Sequence, residues 1–176
     1  MSSLNKGIQV VEVALKWDPS PAGSPAHDLD IIAATYRAEE PYGAPAYLVH
    51  FESRSPDGTI TLNRDSRTGQ GFGFDEVMTL ELGRLAPEYA RVVVGVAIQQ
   101  RWGRRTFADV EGTQVRIAEG TTELRRDGFA GVADATAATV AEFARNADGA
   151  WEFRGTVQGF DTDPAAFARV MGADLE

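Results

Sequence analysis

Cysteine is absent from this 176-residue sequence, and histidine occurs only twice, at His27 and His50. Without cysteine the chain cannot form disulfides, thiolate metal sites or a cysteine nucleophile, which fits a reducing compartment. With so little histidine, a Ser-His-Asp arrangement would depend on His27 or His50. His50 ends an apolar segment, Ala-Tyr-Leu-Val-His, which favours a structural role for it.

Long hydrophobic runs are also absent. No segment approaches the roughly 18 apolar residues of a membrane span, and Met1 to Gly7 has no signal-peptide character. The 17 basic residues are outnumbered by 26 acidic ones, and the net charge of -9 opposes nucleic-acid binding. We therefore expect a cytoplasmic protein that binds no nucleic acid. No repeat, linker or composition break appears, so we predict one domain over residues 1–176.

Short segments rich in β-branched and apolar residues recur along the chain, separated by proline- and glycine-containing turns. This pattern predicts a mainly β protein, a sandwich or a barrel. Residues 91–98, nearly all apolar, predict a central strand. The predicted strands are 8–15, 29–37, 46–51, 59–62, 77–82, 91–98, 114–117, 122–126 and 151–159. Two short helices are predicted near the C-terminus, at Asp134–Arg145 from alanine-rich composition and at Asp163–Met171 after Thr162 as the cap.

Two carboxylates open the second predicted strand, in the segment His27-Asp28-Leu29-Asp30. In an extended chain, residues i and i+2 point to the same face, so the side chains of Asp28 and Asp30 converge. Two adjacent negative charges repel each other unless something neutralises them. A calcium ion does so well because it takes several oxygen ligands, although two solvated acids at a strand end would also explain the pattern.

The second polar segment runs from Asn63 to Glu76 and carries glycine at 69, 71 and 73. Glycines at alternate positions let the backbone turn carbonyl oxygens inward as ligands, beside Asp65, Asp75 and Glu76. A flexible hairpin loop is the alternative. The order of acids differs from an EF-hand, which excludes that motif.

These segments resemble the tellurium-resistance (TerD-type) family. The resemblance rests on Asp65-Ser66-Arg67-Thr68-Gly69-Gln70-Gly71-Phe72-Gly73-Phe74-Asp75-Glu76, on His27-Asp28-Leu29-Asp30, and on Leu4-Asn5-Lys6-Gly7, Leu15-Lys16-Trp17-Asp18, Trp151-Glu152-Phe153-Arg154 and Gln158-Gly159-Phe160. The order and spacing of these motifs agree along nearly the whole chain.

The resemblance implies an antiparallel β-sandwich that binds Ca²⁺ through both polar segments. Its carboxylate ligands would be Asp28, Asp30, Asp65 and Asp75, joined by Glu76, with further oxygens from Ser66 and Gln70. This sequence departs from the family at Phe72 and Phe74, where acids or small polar residues are usual. Because an aromatic ring supplies no oxygen ligand, either one of the family's two calcium sites is lost or both are weakened, and we expect at least one of these rings to be partly exposed.

The function that the resemblance implies is a calcium-binding module of a tellurite or general stress response, a scaffold or sensor that binds other proteins of that system. We expect no enzymatic activity, and the lack of thiolates opposes direct chemistry on tellurite. The alternatives are a carboxylate-dependent hydrolase and a carbohydrate-binding sandwich. His27 is a candidate outer-shell group of the metal site. Residues 101–105, Arg-Trp-Gly-Arg-Arg, form either a contact for an anionic partner or a turn between strands.

Overall fold

The computed structural model describes residues 7–64, 69, 73–155 and 157–173 of the chain. Within those ranges the chain forms two antiparallel sheets, three short 3-10 turns and one α-helix, α1 (Pro164–Val170). The strands are β1 (Val10–Lys16), β2 (Leu29–Arg37), β3 (Tyr47–Val49), β4 (Ile60–Arg64), β5 (Glu76–Glu81), β6 (Tyr89–Ile98), β7 (Gln114–Glu119), β8 (Thr122–Asp127), β9 (Ala137–Arg145), β10 (Trp151–Arg154) and β11 (Gln158–Phe160). The mainly β, antiparallel fold class is therefore confirmed.

The strands are divided between two sheets. Sheet 1 has the order β4-β5-β1-β7-β8, and sheet 2 has the order β10-β9-β6-β2-β3, with β11 paired to β9. Strand β6 lies between β2 and β9. The prediction that residues 91–98 form a central strand is thus confirmed.

The main hydrophobic core lies between the two sheets. Strand β1 contributes Val11, Val13 and Leu15 at alternate positions, as a strand with one buried face must. The facing residues of β2 include Leu29 and Ile31. Burying this many aliphatic side chains, at about 25 cal/mol per Å² of apolar surface, gives the sandwich the stability on which the polar site at its end relies.

A second apolar layer lies on the outer face of sheet 2, where α1 covers it. Ile32 and Tyr36 of β2 pack there with Phe167 of the helix. The helix begins after Asp163, whose carboxylate accepts a 2.8 Å hydrogen bond from the Ala166 amide. Because α1 covers this face, strand β2 is buried on both sides along most of its length. The prediction that Thr162 caps this helix is wrong, since Asp163 does so.

The predicted helix at Asp134–Arg145 is also wrong, because this segment forms strand β9. Its alanines favour a helix locally, but tertiary packing overrides that preference. Ala137 is buried in the layer beneath α1, while Val140 and Phe143 belong to the core between the sheets. The predicted strand at 151–159 is divided into β10 and β11, which both pair with β9. One of the two predicted helices, α1, is therefore confirmed.

The substitution Gly95→Ala tests the packing of α1 on sheet 2. A Cβ atom at Gly95 would lie 2.5 Å from Phe167 Cζ and 2.9 Å from the Ala138 carbonyl oxygen. Overpacking typically costs about 1–3 kcal/mol, and we expect urea unfolding to show a loss of that size. Gly131→Ala is the matched control, since a Cβ there meets no atom within 4 Å. Equal stability of the two variants would contradict this packing.

Candidate metal centre

The polar groups of both sheets meet at one end of the sandwich. Strand β2 begins at this end and β6 ends there, because Leu29 pairs with Ile98. In sheet 1, strand β5 begins and β1 ends at the same place, because Glu76 pairs with Leu15. Both acidic segments found in the sequence enter their strands here, so the antiparallel topology brings them together.

Three carboxylates form a cluster at this end. Asp28, Asp30 and Glu76 each offer an oxygen atom, and these oxygens lie within 4.8 Å of one another. All three residues are buried, with exposed fractions of 8%, 3% and 0%. We call Asp28, Asp30 and Glu76 the acidic triad. Their closeness joins a strand of sheet 2 to a strand of sheet 1.

The donor set of the acidic triad fits a hard divalent cation. Calcium binds oxygen ligands at about 2.3–2.6 Å, so two ligands of one ion lie at most about 5 Å apart. The 4.8 Å limit on the triad oxygens satisfies that condition. All the donors are carboxylate oxygens, which suit calcium or magnesium better than a thiolate-seeking metal. The triad is therefore able to hold a metal ion, although its geometry alone does not select calcium.

Glu76 reaches the triad because of the alternation along β5. Glu76, Met78 and Leu80 are the buried residues of this strand and share its inner face. The Glu76 carboxylate accepts a 2.9 Å hydrogen bond from the Ile31 amide of β2. A carboxylate buried between sheets needs such a donor, since an unsatisfied charge there is costly. This bond fixes Glu76 between the two predicted aspartates.

Asp75 immediately precedes β5 and is buried beside the end of β1. Its carboxylate accepts a 2.9 Å hydrogen bond from the Trp17 amide, and its own amide donates to the Leu15 carbonyl oxygen at 2.8 Å. Asp75 thereby binds the start of β5 to the end of β1. The structure thus places Asp28 and Asp30 together with Glu76 and gives Asp75 a supporting position.

Trp17 connects three parts of the site. Its indole nitrogen donates a 3.0 Å hydrogen bond to the carbonyl oxygen of His27, immediately before Asp28. Its indole edge also lies against Gly69 of the glycine-rich loop, where an added Cβ would meet Trp17 Nε1 at 2.5 Å. Gly69 has a positive φ of 76°, which also favours glycine. Trp17 therefore contacts both Gly69 and His27, the residue before Asp28.

His27 is buried next to Asp28 and lies 3.0 Å, through Nδ1, from Arg105 Nη1. Burial lowers the pKa of His27, and the Arg105 charge lowers it further. Since arginine only donates, Nδ1 accepts this bond and the proton of the neutral ring lies on Nε2. His27 is thus adjacent in sequence to the triad member Asp28, while its ring contacts Arg105. His50 bridges to Ser53 through its backbone and accepts a hydrogen bond from the Glu52 amide.

The arginines of residues 101–105 are bound within the protein. Arg101 Nη2 lies 3.1 Å from an Asp28 oxygen, and Arg104 pairs with Asp161 at 3.2 Å. Trp102, at the tip of this turn, is 65% exposed. The segment is a turn between strands, and two of its three arginines, Arg101 and Arg104, have acidic partners in the fold.

Four of the residues singled out in the sequence lie outside the described residues: Asp65, Ser66, Gln70 and Phe72. Phe74 is described and is partly exposed, as expected for at least one of the two rings. Sequence reasoning missed Gln99, whose side-chain amide donates a 2.6 Å hydrogen bond to Asp30. It also missed the pairing of Arg101 with Asp28. These contacts depend on the register of β2 with β6, which cannot be read from the sequence alone.

A groove of about 430 Å³ begins at the triad and runs along the outer face of sheet 2. Asp30 and Gln99 line it at the site, and Ile32, Leu48 and Ala168 contribute apolar surface. Asp30 therefore borders a groove between sheet 2 and α1 on its side away from the core.

None of the helices in the described ranges has the length and hydropathy needed to cross a membrane.

These features define a class of protein, an antiparallel β-sandwich with a buried acidic triad between the ends of its sheets. The family model described as "TerD domain" matches residues 1–170, so the chain belongs to the TerD family. The resemblance stated from the sequence motifs is thereby confirmed.

Curated relatives support the same assignment. The chain is 28% identical over 165 residues to Tellurium resistance protein TerD of Alcaligenes sp, which covers 91% of this chain and 85% of the relative. It is 25% identical over 182 residues to the uncharacterized protein YceE of Bacillus subtilis (strain 168), covering 99% and 94%. A solved homologue of telluride resistance protein (TerD) from Streptomyces coelicolor A3(2) is 63% identical, with a TM-score of 0.93 over 95% of this chain and 99% of that one. A crystal structure of a protein of unknown function is 62% identical, with a TM-score of 0.94 over 96% and 99%.

The substitution Asp75→Ala tests the supporting position of this carboxylate. It removes the acceptor of the buried Trp17 amide, and a hydrogen bond to a charged group is worth about 1.5–3 kcal/mol. We expect urea unfolding in the presence of a chelator to show a loss of that size. Asp161→Ala is the control, because Asp161 is exposed and pairs with Arg104 at the surface. An Asp75→Ala protein as stable as the control would contradict the assignment.

Proposed function

We propose that this TerD-family protein is a calcium-binding module of a tellurite or general stress response, acting in the cytoplasm as a scaffold or sensor for other proteins. The observation that carries the proposal is the acidic triad, whose three buried oxygens lie within 4.8 Å of one another. The names of the curated relatives, Tellurium resistance protein TerD, support the association with tellurite.

Calcium is the proposed ion because the site is irregular and entirely oxygen-based. Calcium accepts six to eight oxygen ligands with flexible geometry, whereas magnesium demands a near-ideal octahedron. Asp28 immediately precedes β2, Asp30 lies within it, and Glu76 comes from β5 of the other sheet. Asp65, Ser66 and Gln70 are the proposed sources of further oxygens, because they are close in sequence to Gly69, which lies against Trp17.

We further propose that the protein works by binding rather than by catalysis. A carboxylate-dependent hydrolase needs two acids in unlike environments, one protonated and one ionised. Asp28, Asp30 and Glu76 are instead clustered and similarly buried, which favours joint ligation of a cation. A module that changes its charge on binding calcium suits recognition by partner proteins, which we propose to be other members of the stress system.

Calcium should stabilise the fold if this proposal is right. A ligand that binds only the native state adds about 2.7 kcal/mol at a hundredfold excess over its dissociation constant. For a chain of this size that free energy corresponds to a rise of about 5–10 °C in Tm. We expect this shift when chelator-stripped protein is melted with calcium and a smaller shift with magnesium. Superimposable curves with calcium and with chelator would refute the proposal.

Charge removal within the triad should weaken calcium binding. Asp30→Asn and Glu76→Gln keep side-chain acceptors for Gln99 and for the Ile31 amide while each removes one negative charge. Because calcium affinity follows ligand charge, we expect each variant to bind calcium at least about tenfold more weakly in calorimetric titration. Asp161→Asn, exposed and outside the triad, should bind as the unaltered protein does. If Asp161→Asn proved the most damaging, the site would lie elsewhere.

A further inference from the structure

Residues 99–106 form the loop that follows β6, and this loop contacts two members of the acidic triad. The Gln99 side chain donates a 2.6 Å hydrogen bond to Asp30, and Arg101 Nη2 lies 3.1 Å from Asp28. The two contacts differ in charge. Gln99 is neutral, so a cation on another oxygen of Asp30 leaves its hydrogen bond intact. Arg101 carries a positive charge, and it must share the Asp28 carboxylate with any ion that the triad binds.

The base of this loop is closed independently of the triad. The Gln100 side chain accepts a 2.8 Å hydrogen bond from the Arg105 amide and donates a 3.0 Å bond to the Arg105 carbonyl oxygen. Between these points the chain turns at Gly103, which has a φ of 104°. The tip of the loop, residues 101–104, is therefore attached to the protein mainly through the side chains of Arg101 and Arg104.

Separating Arg101 from Asp28 requires little free energy. Its side chain is 55% exposed, whereas the side chain of its partner Asp28 is only 9% exposed. An exposed guanidinium regains its hydration on leaving, so displacing Arg101 costs less than displacing a buried cation would. A divalent ion held by three carboxylates is attracted to the same Asp28 oxygen far more strongly than Arg101 is. Repulsion between the ion and the guanidinium adds to this imbalance.

We propose that Arg101 is the internal counter-cation of the acidic triad and that a divalent ion displaces it from Asp28. Displacement removes one of the two side-chain attachments of the loop tip, which carries the exposed Trp102, so this surface changes when the metal binds. The inference rests on the proposed calcium function and assigns the metal response to one loop.

The first test is calorimetric titration of the chelator-stripped full chain with calcium. Arg101→Gln should bind calcium about three- to tenfold more tightly, which corresponds to removing one positive charge roughly 6 Å from a divalent ion in a largely aqueous environment. Arg101→Lys should stay within about twofold of the unaltered protein, because it keeps the charge. Arg104→Gln is the matched control, since Arg104 lies on the same loop and its side chain is 56% exposed. It should also stay within about twofold.

The second test follows the loop itself by fluorine NMR of protein labelled with fluorotryptophan. The chain has three tryptophans, and a Trp102→Phe sample assigns the resonance of interest. In the unaltered protein, calcium should move the Trp102 resonance. In Arg101→Gln, the same resonance should lie at the calcium-bound position before calcium is added, and calcium should then leave it in place. Trp17, whose amide binds Asp75 beside the site, should respond in both proteins.

The outcomes separate the two proposals. An affinity of Arg101→Gln equal to that of Arg104→Gln, or a Trp102 resonance that calcium does not move in the unaltered protein, would overturn the role of Arg101 while leaving calcium binding intact. A titration in which the unaltered chain binds no calcium would overturn both the inference and the proposed function.

Discussion

The mutual repulsion of Asp28, Asp30 and Glu76 is the constraint around which this end of the molecule is organised. Three buried carboxylates within 4.8 Å of one another oppose folding unless donors and cations offset their charge. Each of them has a partner from a different part of the chain: the Ile31 amide for Glu76, Gln99 for Asp30 and Arg101 for Asp28. The aliphatic core between the sheets then holds the strands in place against the remaining repulsion.

The supporting contacts explain why the two acidic segments meet although more than thirty residues separate them. Trp17 donates from its backbone to Asp75 and from its indole to His27, and Gly69 leaves room for its ring. These contacts join the end of β1, the start of β2 and the glycine-rich loop. The triad is thus supported by hydrogen-bonded side chains around it, as is usual for groups that orient metal ligands.

The sequence predicts most of the β-strands and names all three members of the triad among its candidate ligands, and the limits of that prediction have physical causes. The apolar and β-branched residues of Leu29–Arg37 favour a strand over other local structures. Alternation along an extended chain then brings the side chains of Asp30 and the preceding Asp28 to one face. Strand β9 was mistaken for a helix because alanine is small enough to pack between layers, which composition does not reveal. The hydrogen bond from the Trp17 amide to Asp75 depends on the pairing of β1 with β5, and the pairing of Arg101 with Asp28 depends on the register of β2 with β6.

A crystal structure of the full chain grown with calcium tests the central claim most directly. The account predicts an ion with anomalous scattering of calcium, bound at about 2.3–2.6 Å by oxygens of Asp28, Asp30 and Glu76 together. It predicts that Asp75 remains bonded to the Trp17 amide. A calcium ion bound elsewhere, for example at Asp161 and Asp163, with the triad oxygens left without metal, would contradict the account.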